Sequence, residues 1–213
     1  MKNIILLGAT GSIGDSCLNV IRQNKEDFHL LGIGLESNLD KAHKIAKEFR
    51  PEHIFVAQPN LDKSHDLLHS YPNILSTEDE LQDLIQNPSV DIVVSAISGF
   101  AGLKASFFAI DAGKTVLIAN KESIVAAGDI LMPLAETKNS KIIPVDSEHN
   151  AIHQCLHPYR DLSEISKIII TASGGPFREK TFQDLSTVEL QDALKHPTWS
   201  MGTKITIDSA TLV

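Results

Sequence analysis

The sequence predicts an α/β protein, a doubly wound and mostly parallel sheet followed by the opening of an α+β domain. Three observations point to that class. An apolar run ends on a set of evenly spaced glycines, strand-like and helix-like segments then alternate without a break, and the rhythm changes after about residue 150.

Residues 3–7, "NIILL", form a continuous apolar run that stops at glycine, as a strand buried on both faces would. Residues 12–24 follow with Ile13, Cys17, Val20 and Ile21 at helical spacing. "FHLLGIGL" (28–35) reads as a second strand, and 38–49 as a helix with Ala42, Ile45, Ala46 and Phe49 inward. "HIFVA" (53–57) is a third strand, and "STEDELQDLI" (76–85) opens a helix with a capping-box pattern. "VDIVVSAIS" (90–98), an Ala-rich helix over 101–112, "KTVLIAN" (114–120), a helix near 122–137 and "KIIPVD" (141–146) complete the alternation. A helix at about 148–156 then leads to "SKIIITASGGPFR", a β-rich run ending in a glycine turn, and to "KITIDSATLV". The expected division is a nucleotide-binding domain over 1–146 and a partial catalytic domain over 147–213.

The formal net charge of −8 argues against a general nucleic-acid binder, which would carry a basic stripe. Two cysteines, Cys17 and Cys155, make no disulfide framework and fit a reducing compartment. No apolar stretch is long enough for a signal peptide or a membrane span, so the expected location is the cytoplasm with no membrane partner.

"GATGSIG" sets Gly8, Gly11 and Gly14 between the first strand and the first helix. Gly8 permits a tight turn, Gly11 lets backbone approach a pyrophosphate, and Gly14 lets the helix pack on the strand. With Thr10 and Ser12 among the donors, this is a dinucleotide signal of the Rossmann-like kind. The same glycines could also serve a plain turn or a mononucleotide. At the end of the second strand, "GLESN" offers Glu36, Ser37 and Asn38, with Lys41 one turn on, a mixed signal between NAD and NADP.

Four later segments carry chemistry. "ANKES" puts Lys121 and Glu122 at a strand end, where open α/β sheets bind ligands; a surface ion pair is the bland alternative. "PVDSEHN" sets Asp146 and Glu148 at another strand end, with oxygens suited to Mg²⁺ or Mn²⁺. "TASGGPF" carries Ser173 on a turn that could cradle a phosphate or merely reverse the chain. "HPTWSMG" holds the only tryptophan, Trp199, in a loop that suits a lid or a core anchor.

Taken together, "GATGSIG", "ANKES", "PVDSEHNAI", "SGGPFR" and "HPTWSMGTKITIDSAT" closely resemble the 1-deoxy-D-xylulose 5-phosphate reductoisomerases, NADPH-dependent enzymes of the non-mevalonate isoprenoid route. The resemblance runs from residue 3 to residue 212. It implies that Thr10, Gly11, Ser12 and Ile13 line the NADPH pyrophosphate, with Asn38, Asn120, Glu122 and Gly202 as further cofactor contacts. It implies Asp146 and Glu148 as metal carboxylates, and Lys121, Ser147, Glu148, Ser173, His196 and Ser209 as substrate contacts under a lid carrying Trp199. Lys121, Asp146 and Glu148 are the catalytic set. The implied partner is a small phosphorylated sugar, and a homodimer is the default assembly.

Two departures follow. The family usually has small or basic residues where this chain has Leu35, Glu36 and Ser37; NADP is nonetheless the expected cofactor. The family also continues past "SAT" into an Asn-Lys phosphate clamp, a third metal carboxylate and a helical domain, whereas this sequence ends at Val213. The expectation is a truncated or frameshifted enzyme, or a fragment, with negligible turnover alone. A non-catalytic nucleotide-binding module or pseudo-enzyme is the alternative. A different NAD(P)-linked reductase is a third reading, disfavoured because ordinary hydride transfer needs neither the acid pair nor the lid. His149, His153 and His157 recur at helical spacing, but the resemblance gives the metal to the acids and leaves His149 to orient or pack.

Overall fold

The computed structural model describes residues 1–57, 66–71, 74–156, 162–171, 174–198 and 202–211. The chain forms two compact units, Met1–His153 and Gln154–Val213.

The first unit runs β1 (Lys2–Leu7), α1 (Ser12–Gln23), β2 (Phe28–Leu35), α2 (Leu39–Phe49), β3 (His53–Val56), α3 (Asp66–Ser70), α4 (Glu78–Gln86), β4 (Ile92–Ser95), α5 (Leu103–Asp111), β5 (Thr115–Ile118), α6 (Lys121–Lys138) and β6 (Lys141–Pro144). The six strands form one sheet in the order β3-β2-β1-β4-β5-β6, and every neighbouring pair is parallel. The order reverses direction between β1 and β4, so the carboxyl ends of these two strands flank a crevice where such sheets bind ligands.

The residues explain the layers. Ile4, Ile5, Leu6 and Leu7 are all buried because β1 lies at the centre with helices on both faces. Ile4 and Leu6 join Leu18, Ile21, Ala42, Ile45 and Ala46 under α1 and α2. Ile5 and Leu7 join Leu81, Ile85, Ala109, Ile110 and Leu131 under α4, α5 and α6. A bulge interrupts the β1–β2 ladder, where Ile4 pairs with Leu30 but Ile5 pairs with Gly32. Leu31 is the extra residue, and it turns to the α4–α6 face.

The apolar spacing noted in the first helix does not coincide with its buried face. Val20 is 53% exposed, and Leu18 is buried instead. Gly14, Leu18 and Ile21 share one face at i, i+4, i+7, and Val20 lies about 100° round from Ile21. The capping box is real. Thr77 Oγ1 accepts from Glu80 N, and Glu80 Oε2 accepts from Thr77 N at 2.9 Å and Ser76 N at 2.8 Å. Those amides hold the Glu80 carboxyl below its ordinary range. Helix α6 is not a simple short helix. It is kinked at Ala127, just before Gly128, and carries Pro133 in its second half.

Helix α7 (Ser147–Leu156) starts in the first unit and ends in the second, which also holds α8 (Leu190–Ala193) and α9 (Thr203–Thr211). The β-rich run is not a strand. Residues 165–171 have no regular structure, and Ile168, Ile169 and Ile170 are 54, 72 and 68% exposed. Three β-branched residues favour extended backbone, but a strand also needs a neighbour to receive its amides and carbonyls. No helix among the described residues is long and apolar enough to cross a membrane.

Candidate functional site

The glycine turn is built by sterics. Gly8 has φ +82, and a Cβ there would sit 2.3 Å from the Ala96 carbonyl oxygen at the end of β4. The Gly8 and Ala9 amides donate to Gly34 O at 2.9 and 3.0 Å, tying the turn to the end of β2. A Cβ on Gly14 would lie 2.4 Å from Ala9 O, so only glycine lets α1 start this close to the strand. Gly11 differs, because its Cβ would meet only Gly8 O at 3.4 Å. It is the N-cap of α1 and provides no side-chain acceptor, so the helix start has amides to offer an anion. Ser12 beside it is exposed, and Thr10 and Ile13 are half-buried. This cradle fits the pyrophosphate of a dinucleotide.

At the end of β2, Glu36 and Ser37 are exposed. Asn38 caps α2, its Oδ1 accepting from Lys41 N at 3.1 Å. The Lys41 ammonium reaches back to the glycine turn, donating to Thr10 O at 3.0 Å and to Asp15 Oδ2 at 2.7 Å. The sequence reading missed this link, since nothing in the spacing of residues 10, 15 and 41 announces it.

Beyond the switch point, Asn120 ends β5 and caps α6. Its Oδ1 accepts from Ser123 N and Oγ at 2.7 and 2.6 Å. Its Nδ2 donates to Ile97 O and to Gly99 O in the loop after β4. The residue is only 2% exposed, and its side-chain donors and acceptor are committed inside the protein. Ser123 completes this staple, and the Asn-x-x-Ser spacing of a capped helix could have revealed it.

The next residue faces an acid. Lys121 Nζ lies 3.8 Å from Asp146 Oδ2, on the loop after β6. Asp146 Oδ1 accepts from His149, at 2.6 Å from the ring Nδ1 and 3.3 Å from the backbone amide. Burial pushes the Asp146 carboxyl up, but the His149 hydrogen bonds and the charges of His149 and Lys121 together hold it below its ordinary range. Oδ2 lies beyond hydrogen-bond length from Lys121, which leaves a carboxylate oxygen for a hard cation. Ser147 and Glu148 are exposed at the start of α7. Carboxylate oxygens suit Mg²⁺, which keeps several waters and needs few protein ligands, so the donor pair fits such an ion. No cluster of three or more His, Cys, Asp or Glu able to hold a metal occurs among the described residues. His149 is engaged with Asp146. Glu122 is half-buried in the first turn of α6.

In the second unit, His196 Nδ1 accepts from Thr198 N at 3.1 Å. Ser209 Oγ donates to Thr206 O at 2.9 Å. Gly202 is exposed, and its carbonyl accepts from Thr206 N at 3.0 Å at the start of α9. His157, Ser173 and Trp199 lie outside the described residues.

The sheet order and these edge groups define a class, a doubly wound α/β protein with a glycine turn and paired charges where the parallel strands end. The family model described as 1-deoxy-D-xylulose 5-phosphate reductoisomerase matches residues 4–128, and the model of that enzyme's C-terminal domain matches residues 142–213. The chain belongs to the 1-deoxy-D-xylulose 5-phosphate reductoisomerase family. A reductoisomerase of Francisella tularensis subsp. novicida is 48% identical over 99% of this chain and 55% of its own length. One from Bacillus cereus is 44% identical over 100% of this chain and 56% of its own. A solved reductoisomerase in complex with NADPH, fosmidomycin and magnesium superposes with a TM-score of 0.87, at 40% identity, over 99% of this chain and 55% of that one. The Zymomonas mobilis enzyme in complex with NADPH gives 0.86 at 36% identity, over 99% and 54%. The chain thus spans about half the length of the relatives it matches.

Proposed function

We propose that residues 1–146 form the NADPH-binding, Rossmann-type domain and residues 147–213 the start of the catalytic domain of a reductoisomerase. The reaction converts 1-deoxy-D-xylulose 5-phosphate to 2-C-methyl-D-erythritol 4-phosphate in the cytoplasm, by a homodimer. The observation that carries this reading is that the glycine turn and the Lys121–Asp146 pair both stand at the carboxyl ends of strands of one parallel sheet. Relatives solved with NADPH and with magnesium support it.

The substrate is a phosphorylated α-hydroxyketone. One C–C bond breaks and another forms, giving an aldehyde; hydride from the nicotinamide then adds to the aldehyde carbon and a proton to its oxygen. A bound Mg²⁺ or Mn²⁺ supplies electrostatic stabilisation to the substrate oxygens as negative charge develops on them. Asp146 and Glu148 hold that ion, and His149 fixes the Asp146 carboxylate by its two hydrogen bonds. Lys121 presents a cation to the same oxygens. The amides around Thr10, Gly11, Ser12 and Ile13 bind the pyrophosphate, Asn38 meets the adenine-side ribose, and Asn120, Glu122 and Gly202 complete the cofactor contacts. Ser147, Glu148, Ser173, His196 and Ser209 bind the sugar phosphate, and Trp199 covers it and excludes water.

The test combines calorimetric NADPH titration of the chain with NADPH oxidation, dependent on both the deoxyxylulose phosphate and Mg²⁺, by a protein that also carries the family's C-terminal part. Asp146→Asn should leave NADPH binding intact and lower turnover by about a thousandfold, given several kcal/mol from the ion. A chain that binds no NADPH would end this reading. NADPH binding with no metal-dependent turnover even alongside the family's C-terminal part would reduce the chain to a nucleotide-binding module.

A further inference from the structure

We propose that Lys41 is the residue by which this chain selects a nucleotide carrying a 2′-phosphate, and that Asp15 sets how strongly it does so. The proposal rests on the dinucleotide reading above and adds a specificity residue to it. Three observations support it.

The first is place. Lys41 lies in the first turn of α2, and its ammonium crosses to the carbonyl of Thr10 at 3.0 Å. It therefore bridges the end of β2 and the start of α1, the two elements between which a dinucleotide places its adenine-side ribose. The second is capacity. An ammonium has three donors, and Lys41 Nζ spends two, on Thr10 O and Asp15 Oδ2. The third remains for a phosphate oxygen, on a side chain that is 31% exposed. The third observation is the composition of the strand end. From Leu35 to Asp40 there is no cation, and Glu36 there is exposed and repels a 2′-phosphate. Lys41 is the first positive charge after the strand, and it is already directed at the turn.

Asp15 is the counterweight. Its carboxylate sits 2.7 Å from the ammonium and is 53% exposed, so it neutralises the cation without burying it. An arriving phosphate competes with Asp15 for the same charge. Removing the Asp15 charge should strengthen 2′-phosphate binding, whereas a mere structural strap would only loosen.

The decisive measurement is a calorimetric titration of the 213-residue chain with adenosine 2′,5′-bisphosphate and with 5′-AMP. The wild type should favour the bisphosphate by about 10–100-fold, the worth of one hydrogen bond to a charged group. Lys41→Ala should bring that ratio to near one while changing 5′-AMP affinity less than about threefold. Lys41→Arg should restore it, and Asp15→Asn should raise it above wild type. An equal loss of both ligands in Lys41→Ala would show a strap and overturn the proposal, as would an unchanged ratio or a wild-type ratio of one. A wild type that binds neither ligand nor NADPH would instead sink the underlying dinucleotide reading.

Discussion

The glycine turn and the acid pair stand on the same edge of one sheet but are built from opposite materials. The turn is backbone and empty space; Gly8 and Gly14 matter because a methyl would strike Ala96 O and Ala9 O. The acid pair is side-chain charge; Asp146 matters because of what it accepts from His149 and faces in Lys121. Adding an atom ruins the first, and removing a charge ruins the second. Architecture and chemistry can therefore be broken independently.

The largest expected effect is on the turn. Gly8→Ala combines a left-handed backbone with a contact of 2.3 Å to a main-chain oxygen. It should cost about 2–5 kcal/mol, read from urea unfolding. Next comes Lys121→Met, expected to lower turnover about a hundredfold in a protein that also carries the family's C-terminal part, while shifting stability by less than about 1 kcal/mol, since its partner is 3.8 Å away and Lys121 is half-exposed. If that variant lost stability as Gly8→Ala does, the division between architecture and chemistry would fail.

Gly11→Ala sharpens the contrast within the turn itself. Its Cβ has room in the protein, so stability should hold within about 0.5 kcal/mol while NADPH binding weakens, measured by calorimetry on the same samples. The smallest effect concerns pH. The Lys2 ammonium at 2.7 Å, helped by the Asn3 amide, holds the Asp91 carboxyl below its ordinary range against the effect of burial. Because the folded value is the lower one, this carboxylate contributes stability above the unfolded value of about 4, and loses it as pH falls through the folded value. Asp91→Asn should flatten acid unfolding in that window by less than about 1 kcal/mol, with no change at the turn or the acid pair.

The parallel strands were legible because each is a local signal, a short mostly apolar run. The amphipathic helices were legible for the same reason, Thr77 and Glu80 announcing α4 by their spacing alone. What the spacing did not carry is any interaction whose partner is remote. Lys41 on Thr10 and Asp15, and Asn120 on the carbonyls of Ile97 and Gly99, join segments that only the folded sheet brings together. The same limit explains the run around Ile168–Ile170, where local β preference is strong but the structure forms no ladder. For the site, motif order placed Lys121, Asp146 and Glu148 near one another in expectation. The orienting role of His149 became specific only through its 2.6 Å contact with Asp146.

The bulge in β2 has a bearing on how this chain could change over time. Leu30 faces the α1–α2 side with Ile4, and Ile33 faces it with Leu6, while Leu31 lies between them as a surplus residue. Deleting Leu31 would leave every other β2 residue on its present face and Gly34 still under the glycine turn, at the cost of one buried side chain. Deletion at a regularly paired position further along the strand would instead invert the remainder, exchanging its inward and outward faces relative to β1. Leu31 is thus the paired-strand position whose loss leaves the crevice beside β2 as it is.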